Sequence, residues 1–592
     1  MAAFCALVVA TVAAFFITQH LKVTTPLIAG SPRPFPEYIN PLAGRSGICG
    51  GVDHRTMRIS FYLLHRSDTV DVFVVNRSGS IVATLATGRH MRRGVRNPDG
   101  EFSWNGRESG GRIAPDGVYY LRVALLGQGR TVDITSSSGQ LQTVIVDTRA
   151  PAPRVVGVQP HLIDAAATVA IRYTGTEGRG ASVLVYRTDV PGRPRLVKTF
   201  GTFGGSASWD GRIAGLPSPT GIYLVGLRVT DAACNVGLFP GELPPPPGTT
   251  PGAGVTVRYL AAEPPSTAVA PGSRATVFVD ARKHLYHWSL RRPAAHRAIA
   301  MGHSRSAALS VPIPRRRAGL YELTLRRGGH ATVVPLVVHA PRPAKVLVVL
   351  PVLTWQALNP GDEDGDGVAD TLTDGASVLL ARPFALGLPS GLGDEEGLLS
   401  YLDSTGQPYD LTTDVGLIEG VGAALAGHPL VILAGTQEWV TPSLASSLRS
   451  YVEAGGHVVS LGIRSLLRRV TVSGGRASDP TPPQSVDALG ARPGSLVTGN
   501  SQLIGVIQDK LGIFSGTSGL FSGFRAYQPF AVGSGATVVS AAGATSSAPS
   551  IIGYRLGTGI VTDIGLEGFG TALRHNIDAQ QLMSRLVTLL AR

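Results

Sequence analysis

The sequence predicts a multidomain chain: a row of small all-β sandwiches followed by an α/β domain built on an open, mostly parallel sheet. Three observations predict it. A Trp-[Asn/Asp]-Gly-Arg motif followed by Gly-x-Tyr occurs twice, with Trp104 and Trp209 105 residues apart. A Pro-rich seam, Ala340-Pro341-Arg342-Pro343-Ala344, then ends the alternating texture. Beyond it, short apolar runs of the kind seen in strands buried on both faces alternate with a helical pattern.

Length sets the frame. At 592 residues the chain exceeds one core and predicts three to five units. Hydrophobic residues at 43% against 16% charged exclude a disordered protein, and 74 Gly with 42 Pro suit many turns. The net charge of +13 comes almost entirely from arginine, since only Lys22, Lys198, Lys283, Lys345 and Lys510 are lysines. Three cysteines are too few for a disulfide framework. Cys5 lies in the apolar N-terminal run, and the sequence leaves open whether Cys49 and Cys234 pair.

Residues 1–22 read as an uncleaved signal anchor. Ala2 to Ile17 carry no charge, and Thr18, Gln19, His20 and Lys22 end the run. No basic n-region or small-x-small cleavage site is evident, which disfavours a cleaved signal. The expectation is a single-pass protein of the cell membrane with the bulk of the chain extracytoplasmic, residues 23–50 being linker. Loop charge does not decide topology here.

Residues 51–149 and 150–258 read as two β modules. In each, alternating strands such as Val70 to Val75 and Ser182 to Tyr186 precede an Asn105-Gly106 or Asp210-Gly211 turn, and a new strand opens at Tyr119 or Tyr223. Asn-Gly and Asp-Gly supply the positive φ that tight turns demand. Residues 259–343 form a third β unit that keeps Gly319-Leu320-Tyr321 but lacks the tryptophan motif. It holds 13 Lys/Arg, among them Arg282, Lys283, Arg291, Arg292 and Arg315 to Arg317, against Glu263, Asp280 and Glu322. Its net charge of 13 − 3 = +10 suggests a surface for an anionic envelope polymer, because guanidinium forks grip phosphate and carboxylate. Solvated strand faces are the alternative, and nucleic acid is not an expected partner.

Residues 344–592 read as the α/β domain. Lys345 to Leu353, Leu430 to Ala434 and His457 to Leu461 are its strands, and Pro442 to Ala454 places Leu444, Leu448, Tyr451 and Val452 on one helical face before Gly455-Gly456. Strand, helix, strand at this length is a right-handed parallel crossover. The last helix, from Asp578, turns Leu582 and Leu586 inward.

The sharpest local motif is Asp362-Glu363-Asp364-Gly365-Asp366-Gly367-Val368-Ala369-Asp370. Acids at loop positions 1, 3, 5 and 9 with glycine at 6 match what Ca²⁺ requires: several hard oxygen ligands on a tight bend, with the position-7 carbonyl from Val368. The predicted metal ligands are therefore Asp362, Asp364, Asp366, Val368 and Asp370. The loop resembles those of EF-hands, dockerins and thrombospondin-type repeats, but Thr373 replaces the bidentate glutamate at position 12, with Asp374 adjacent. The expected site is structural and weak, with Kd of about 10⁻⁴ to 10⁻³ M.

Two resemblances add to this reading. The paired tryptophan and tyrosine motifs of residues 51–258 resemble the immunoglobulin-like module of the flagellar hook-capping protein, which implies spacer or interaction modules. In the last unit, Thr354-Trp355-Gln356-Ala357-Leu358-Asn359, Tyr409 to Asp414, Gly435-Thr436-Gln437-Glu438-Trp439 and Tyr451 to Gly456 resemble the C-terminal domain of the N,N-dimethylformamidase large (beta) subunit. That resemblance implies a fold like class I glutamine amidotransferases and an iron held by tyrosines and a glutamate. Here Trp355 and Leu358 stand at the tyrosine positions of the first motif and Trp439 at that of the second. Neither indole nor leucine offers a metal a suitable lone pair, so catalytic iron is not expected and no catalytic residue is assigned. Glu438 is the weak candidate, and Glu395 or Asp414 would be the other carboxylates of a rebuilt hydrolase site. Amidotransferase chemistry is excluded, because it needs a cysteine nucleophile and none follows Cys234. Ser465 sits on a comparable turn without an identifiable base. The sequence thus favours a non-catalytic binding protein over a metal-dependent amide hydrolase. No nucleotide-binding glycine loop or zinc-ligand spacing is evident.

Overall fold

Alternation of buried and exposed residues builds the first half of the molecule. A computed structural model describes residues 1–24, 26–29, 32–164, 167–315, 317–384, 387–499, 503–533 and 536–592. In the first module Gly117–Leu125 is the central strand, flanked by Asp68–Asn76 and Thr143–Val146, with the antiparallel pair Met57–Ser60 and Glu101–Trp104 as a separate sheet. The stretch expected as linker contributes to this module, since Tyr38–Ile39 pairs parallel with Thr143–Val146. The second module repeats the plan around Gly221–Thr230, and the third around Gly319–Arg327.

The motif residues explain the repetition. Gly106 and Gly211 take φ of 71° and 65°, a region that disfavours other residues. Trp104 Nε1 donates to Arg107 O at 2.8 Å and Trp209 Nε1 to Arg212 O at 3.1 Å, so each indole is core with its polar atom satisfied by the turn it covers. Tyr119, Tyr223 and Tyr321 each donate to the carbonyl four residues upstream, at Pro115, Pro219 and Arg317. The third unit therefore keeps the tyrosine corner after losing the tryptophan.

The third unit is not an independent bead. One hydrophobic core runs from Leu260 through Leu323, Leu336 and Val338 into Val346, Leu398 and Leu402 and on to Leu590. Arg292 reaches Asp403 at 2.7 Å, and Thr413 Oγ1 donates to Ser266 O at 2.9 Å across the seam. Some of the cationic residues are used inside the protein: Arg282 pairs with Asp280, Arg291 with Glu322, and Arg327 with Asp164. Such pairing reduces the free positive surface that composition suggested. Arg316 lies outside the described residues.

The last unit carries a nine-stranded sheet in the order Asp410–Thr413, Val346–Leu350, Leu430–Leu433, His457–Leu461, Gly559–Ile564, Ala548–Leu556, Val538–Thr545, Ile504–Asp509, Leu520–Phe521. The first four pairings are parallel and the remaining four antiparallel. Val346 to Leu350 are all fully buried, as a strand covered on both faces must be. The helix Pro442–Glu453 is capped by Thr441, whose Oγ1 accepts from Leu444 N, and packs Leu444, Leu448 and Val452 on the sheet.

One expectation is corrected. The N-terminal helix Ala2–Thr24 forms, but among the described residues no helix is long and apolar enough to cross a membrane. The apolar run from Ala2 to Ile17 extends about 24 Å at 1.5 Å per residue, short of a hydrocarbon layer about 30 Å thick. The transmembrane anchor, the membrane as a partner and the single-pass cell-membrane localisation are accordingly withdrawn.

Candidate functional site

The acidic loop is a wedge between the second β module and the C-terminal unit. Gly361 and Asp370 close its base through Asp370 N to Gly361 O, 2.6 Å. Within it, Asp366 N donates to Asp362 Oδ1 at 3.0 Å and to Asp364 Oδ1 at 3.1 Å, Gly367 N to Asp362 Oδ2 at 3.1 Å, and Val368 N to Asp366 Oδ1 at 2.7 Å. These bonds turn the carboxylates of Asp362, Asp364 and Asp366 inward, with one oxygen of each within 4.8 Å of the others. Gly367 has φ of 82°, and a Cβ there would meet the Leu224 backbone at 2.9 Å.

Module 2 grips the loop from outside. Gly254 N donates to Gly365 O at 2.8 Å, Gly248 N to Asp366 Oδ2 at 2.7 Å, Thr250 Oγ1 to Asp366 O at 2.7 Å and Thr188 Oγ1 to Gly367 O at 2.7 Å. Gly254 must be glycine, since a Cβ would lie 2.4 Å from Asp362 Oδ2 and 2.5 Å from Gly367 N. Burial, added to the repulsion of neighbouring acids, pushes Asp362 up to about 7 and Asp370 up to about 6, and raises Asp366 as well. A site that disfavours its own negative charge is one a divalent cation would relieve.

The predicted ligands are thus partly united. Asp362, Asp364 and Asp366 converge, whereas Asp370 Oδ2 accepts from Glu363 N at 2.7 Å and stands at the base of the loop. Asp374 accepts from Thr371 Oγ1 and does not supply the missing position-12 ligand in this arrangement. The residues that sequence reasoning missed, Thr188, Gly248, Thr250 and Gly254, lie more than 100 positions upstream and carry no local signal. A cavity of about 190 Å³ beside the loop is lined by Asp189, Arg258, Glu363 and Arg382. Buried Arg382 ties the joint, pairing with Glu363 at 3.0 Å and donating to Gln356 O at 2.6 Å.

The carboxyl edge of the parallel strands is the other place to look. Val346–Leu350 lies between Asp410–Thr413 and Leu430–Leu433, so the strand order reverses there and the crevice beyond its end is where such sheets bind ligands. Side chains of the chain itself crowd that crevice. Gln437 Nε2 donates to Val349 O at 2.9 Å, and Glu438 N to Thr354 Oγ1 at 3.0 Å. The Glu395 carboxylate is so close to Gly435 that a Cβ there would sit 2.1 Å from Oε1. Glu438 pairs with Arg468 at 3.0 Å, and the Arg468 guanidinium lies 5.7 Å from the Trp439 ring. Burial raises Glu438 although Arg468 opposes it, and raises Glu395 strongly. Gln356 and Asn359 bond to each other at 3.0 Å and to the Arg382 and Pro383 carbonyls. Asp414 accepts from Leu353 N and Val415 N, a structural role, and burial lifts it to about 7. Ser465 Oγ donates to Leu461 O at 3.3 Å. A cavity of about 830 Å³ opens at the opposite, amino edge, beside His428, Tyr451 and Gly455.

The iron that the family resemblance implies does not fit these residues. Trp355 is buried, Leu358 is 39% exposed on its helix, and Trp439 is buried beneath Arg468. Glu438, the one retained carboxylate of that stretch, is neutralised by Arg468.

A buried acid pair, one member of which lies in the sheet, sets an expected pH response. Asp563, in strand Gly559–Ile564, is buried and raised well above the carboxylate range by that burial and by Asp487, while Asp487 is raised to about 6. A native pKa above the unfolded one means the folded state holds the extra proton. Stability is full below about pH 4 for this group and falls as pH rises through the native value. Thermal melts at pH 5 and pH 8 are expected to show a smaller loss for Asp563→Asn than for the parent. Equal losses would remove Asp563 from the account.

Comparison with known proteins agrees with the C-terminal reading. A family described as "N,N-dimethylformamidase beta subunit-like, C-terminal" matches residues 289–485, about a third of the chain. The match begins inside the third β unit, which shares its core with the nine-stranded sheet of the last unit. No curated protein matches the chain. Similar solved structures include a tetra-tandem repeat from the extending region of a large adhesion protein, 15% identical over 54% of this chain and 76% of that one, TM-score 0.18. They also include a marsupial T cell receptor, 12% identical over 48% and 95%, TM-score 0.22, and dimeric latent PorU of Porphyromonas gingivalis, 10% identical over 52% and 32%, TM-score 0.13. Likeness at these scores bears on neither fold nor function.

Proposed function

We propose that this chain is a non-catalytic interaction protein in which β modules hold an N,N-dimethylformamidase-like domain in a fixed orientation, with Ca²⁺ in the loop 362–370 completing the joint. The observation that carries it is the switch-point crevice, where Glu395 packs against Gly435, Gln437 bonds the Val349 carbonyl and Glu438 pairs with Arg468. The four parallel pairings and the reversal of strand order support the finer assignment to a class I glutamine amidotransferase-like α/β unit. Calcium is the cation suited to three inward carboxylates on a tight loop, because it accepts irregular all-oxygen sites that Mg²⁺ does not.

The test is calorimetric unfolding of the full chain, metal-free and then with Ca²⁺, Fe²⁺ or Zn²⁺. With Kd of about 10⁻⁴ M, about 10 mM Ca²⁺ is expected to stabilise the native state by about 2.7 kcal/mol. Asp366→Ala is expected to abolish the effect. Stoichiometric iron or zinc that supports hydrolysis of a simple amide, lost in Glu438→Gln, would overturn the non-catalytic reading.

A further inference from the structure

We infer that Cys49, His54 and Cys234 form a second metal site, redox-gated, which takes a zinc-class divalent ion when the disulfide between the two cysteines is open. In the structure Cys49 and Cys234 are bonded, across a sequence separation of 185, and a ring nitrogen of His54 and both sulfurs lie within 4.8 Å of one another. Two thiolates and an imidazole are the donors that borderline-soft Zn²⁺ selects, and three protein ligands leave a fourth position for solvent.

The imidazole is already set for the role. His54 Nδ1 lies 2.9 Å from Tyr38 O, and a carbonyl only accepts, so Nδ1 carries the proton and Nε2 holds the free lone pair. A ligating histidine is commonly fixed in this way, by a backbone carbonyl on its other nitrogen. The carboxylates nearby are engaged elsewhere: Asp53 pairs with Arg55 at 2.8 Å, and Asp231 accepts from Ala233 N, Asn235 N and Asn235 Nδ2. They leave the ligand set as sulfur and nitrogen.

One half of the site is firm and the other can give. Cys234 is buried, in a turn braced by Asp231, with φ of 67°, a strained value for a residue with a Cβ. Cys49 is half-buried in the hairpin Ile48–Cys49 and Val52–Asp53, whose turn is Gly50-Gly51, with φ of 59° and 78° and open space around both. Tetrahedral zinc at about 2.3 Å from each sulfur needs them about 3.8 Å apart, and that separation falls to the hairpin. The chemistry balances: a dithiol gives the disulfide two electrons and two protons and leaves as its own disulfide. The divalent ion then displaces both thiol protons from Cys49 and Cys234. Either way the two modules stay joined, by a covalent bond in oxidising surroundings and by a metal in reducing ones.

The test uses the full chain with Cys5→Ser, which removes the exposed free cysteine, and Ca²⁺ in excess to saturate the acidic loop. After phosphine reduction, Co²⁺ is added as a spectroscopic stand-in for zinc. One Co²⁺ per chain is expected, with a thiolate-to-cobalt charge-transfer band in the near ultraviolet and tetrahedral ligand-field bands in the visible. The oxidised protein and Cys234→Ser should lack the tetrahedral spectrum. His54→Ala should lose or shift the visible bands and bind Co²⁺ at least tenfold more weakly while still titrating two thiols. A reduced protein with two titratable thiols and no charge-transfer band would overturn the site, and a His54→Ala spectrum and affinity identical to the parent would remove His54 from it.

Discussion

Gly254→Val is expected to detach the acidic loop from the second β module without removing any of its carboxylates. The added Cβ would meet Asp362 Oδ2 at 2.4 Å, Gly367 N at 2.5 Å and Gly365 C at 2.8 Å, and two of these three are backbone atoms that cannot swing aside. Yielding means losing the hydrogen bonds from Gly254 N, Gly248 N, Thr250 Oγ1 and Thr188 Oγ1. At about 1 kcal/mol each this is about 4 kcal/mol of coupling between the two units. In denaturant unfolding, module 2 and the C-terminal unit should then separate into two transitions, and calcium should stabilise only the second. A single unchanged transition would show that the loop does not join them.

Trp209→Ala should be costly for a different reason. The indole is 1% exposed, its ring centroid lies 5.7 Å from that of Tyr223, and its Nε1 covers the Arg212 carbonyl at the Asp210-Gly211 turn. Truncation leaves a cavity in a core of about twenty side chains and strips the turn of its partner. A loss of about 3 to 5 kcal/mol is expected. Trp209→Phe should recover much of it, keeping the ring but not the hydrogen bond. Chemical denaturation followed by tryptophan fluorescence and circular dichroism measures both, and a loss under 1 kcal/mol for the alanine variant would place Trp209 outside the core.

What was legible in the sequence was local. The tryptophan motifs announced two sandwiches because the turn glycine, the indole and the tyrosine corner all lie within about 15 residues of one another. The parallel strands announced themselves as unbroken apolar runs. The acidic spacing brought out Asp362, Asp364 and Asp366, since alternate positions of one loop suffice to converge them. What depends on distant chain was silent: that Gly254 admits the loop, that Cys49 meets Cys234, and that the Pro-rich seam at 340–344 divides texture but not core. The seam resembles a hinge because proline ends the strand there. Leu398 and Leu402, some 60 residues on, return to pack in the same core as Leu323 and Leu336. The N-terminal run, ending at Ile17, falls just short of a span, and its apolar character outweighed that shortfall in the expectation of an anchor.

The candidate catalytic edge followed the same rule. That Trp355, Leu358 and Trp439 stand at the tyrosine positions of the resembled motifs was plain in the sequence, but the crowding of the crevice was not. Glu395 arrives there from a helix, Leu392–Ser404, and Arg468 from the short strand Arg468–Arg469, which pairs parallel with Trp439–Val440, neither within the motifs.

The most direct measurement is hydrogen–deuterium exchange of the full chain with and without calcium, read over two peptides: the loop 361–370 and the module 2 segment 248–256. The account predicts that calcium slows exchange in both together, and that Gly254→Val confines the slowing to the loop. Protection that never reaches 248–256, or no protection in either peptide, would contradict a calcium-completed joint between the β modules and the N,N-dimethylformamidase-like domain.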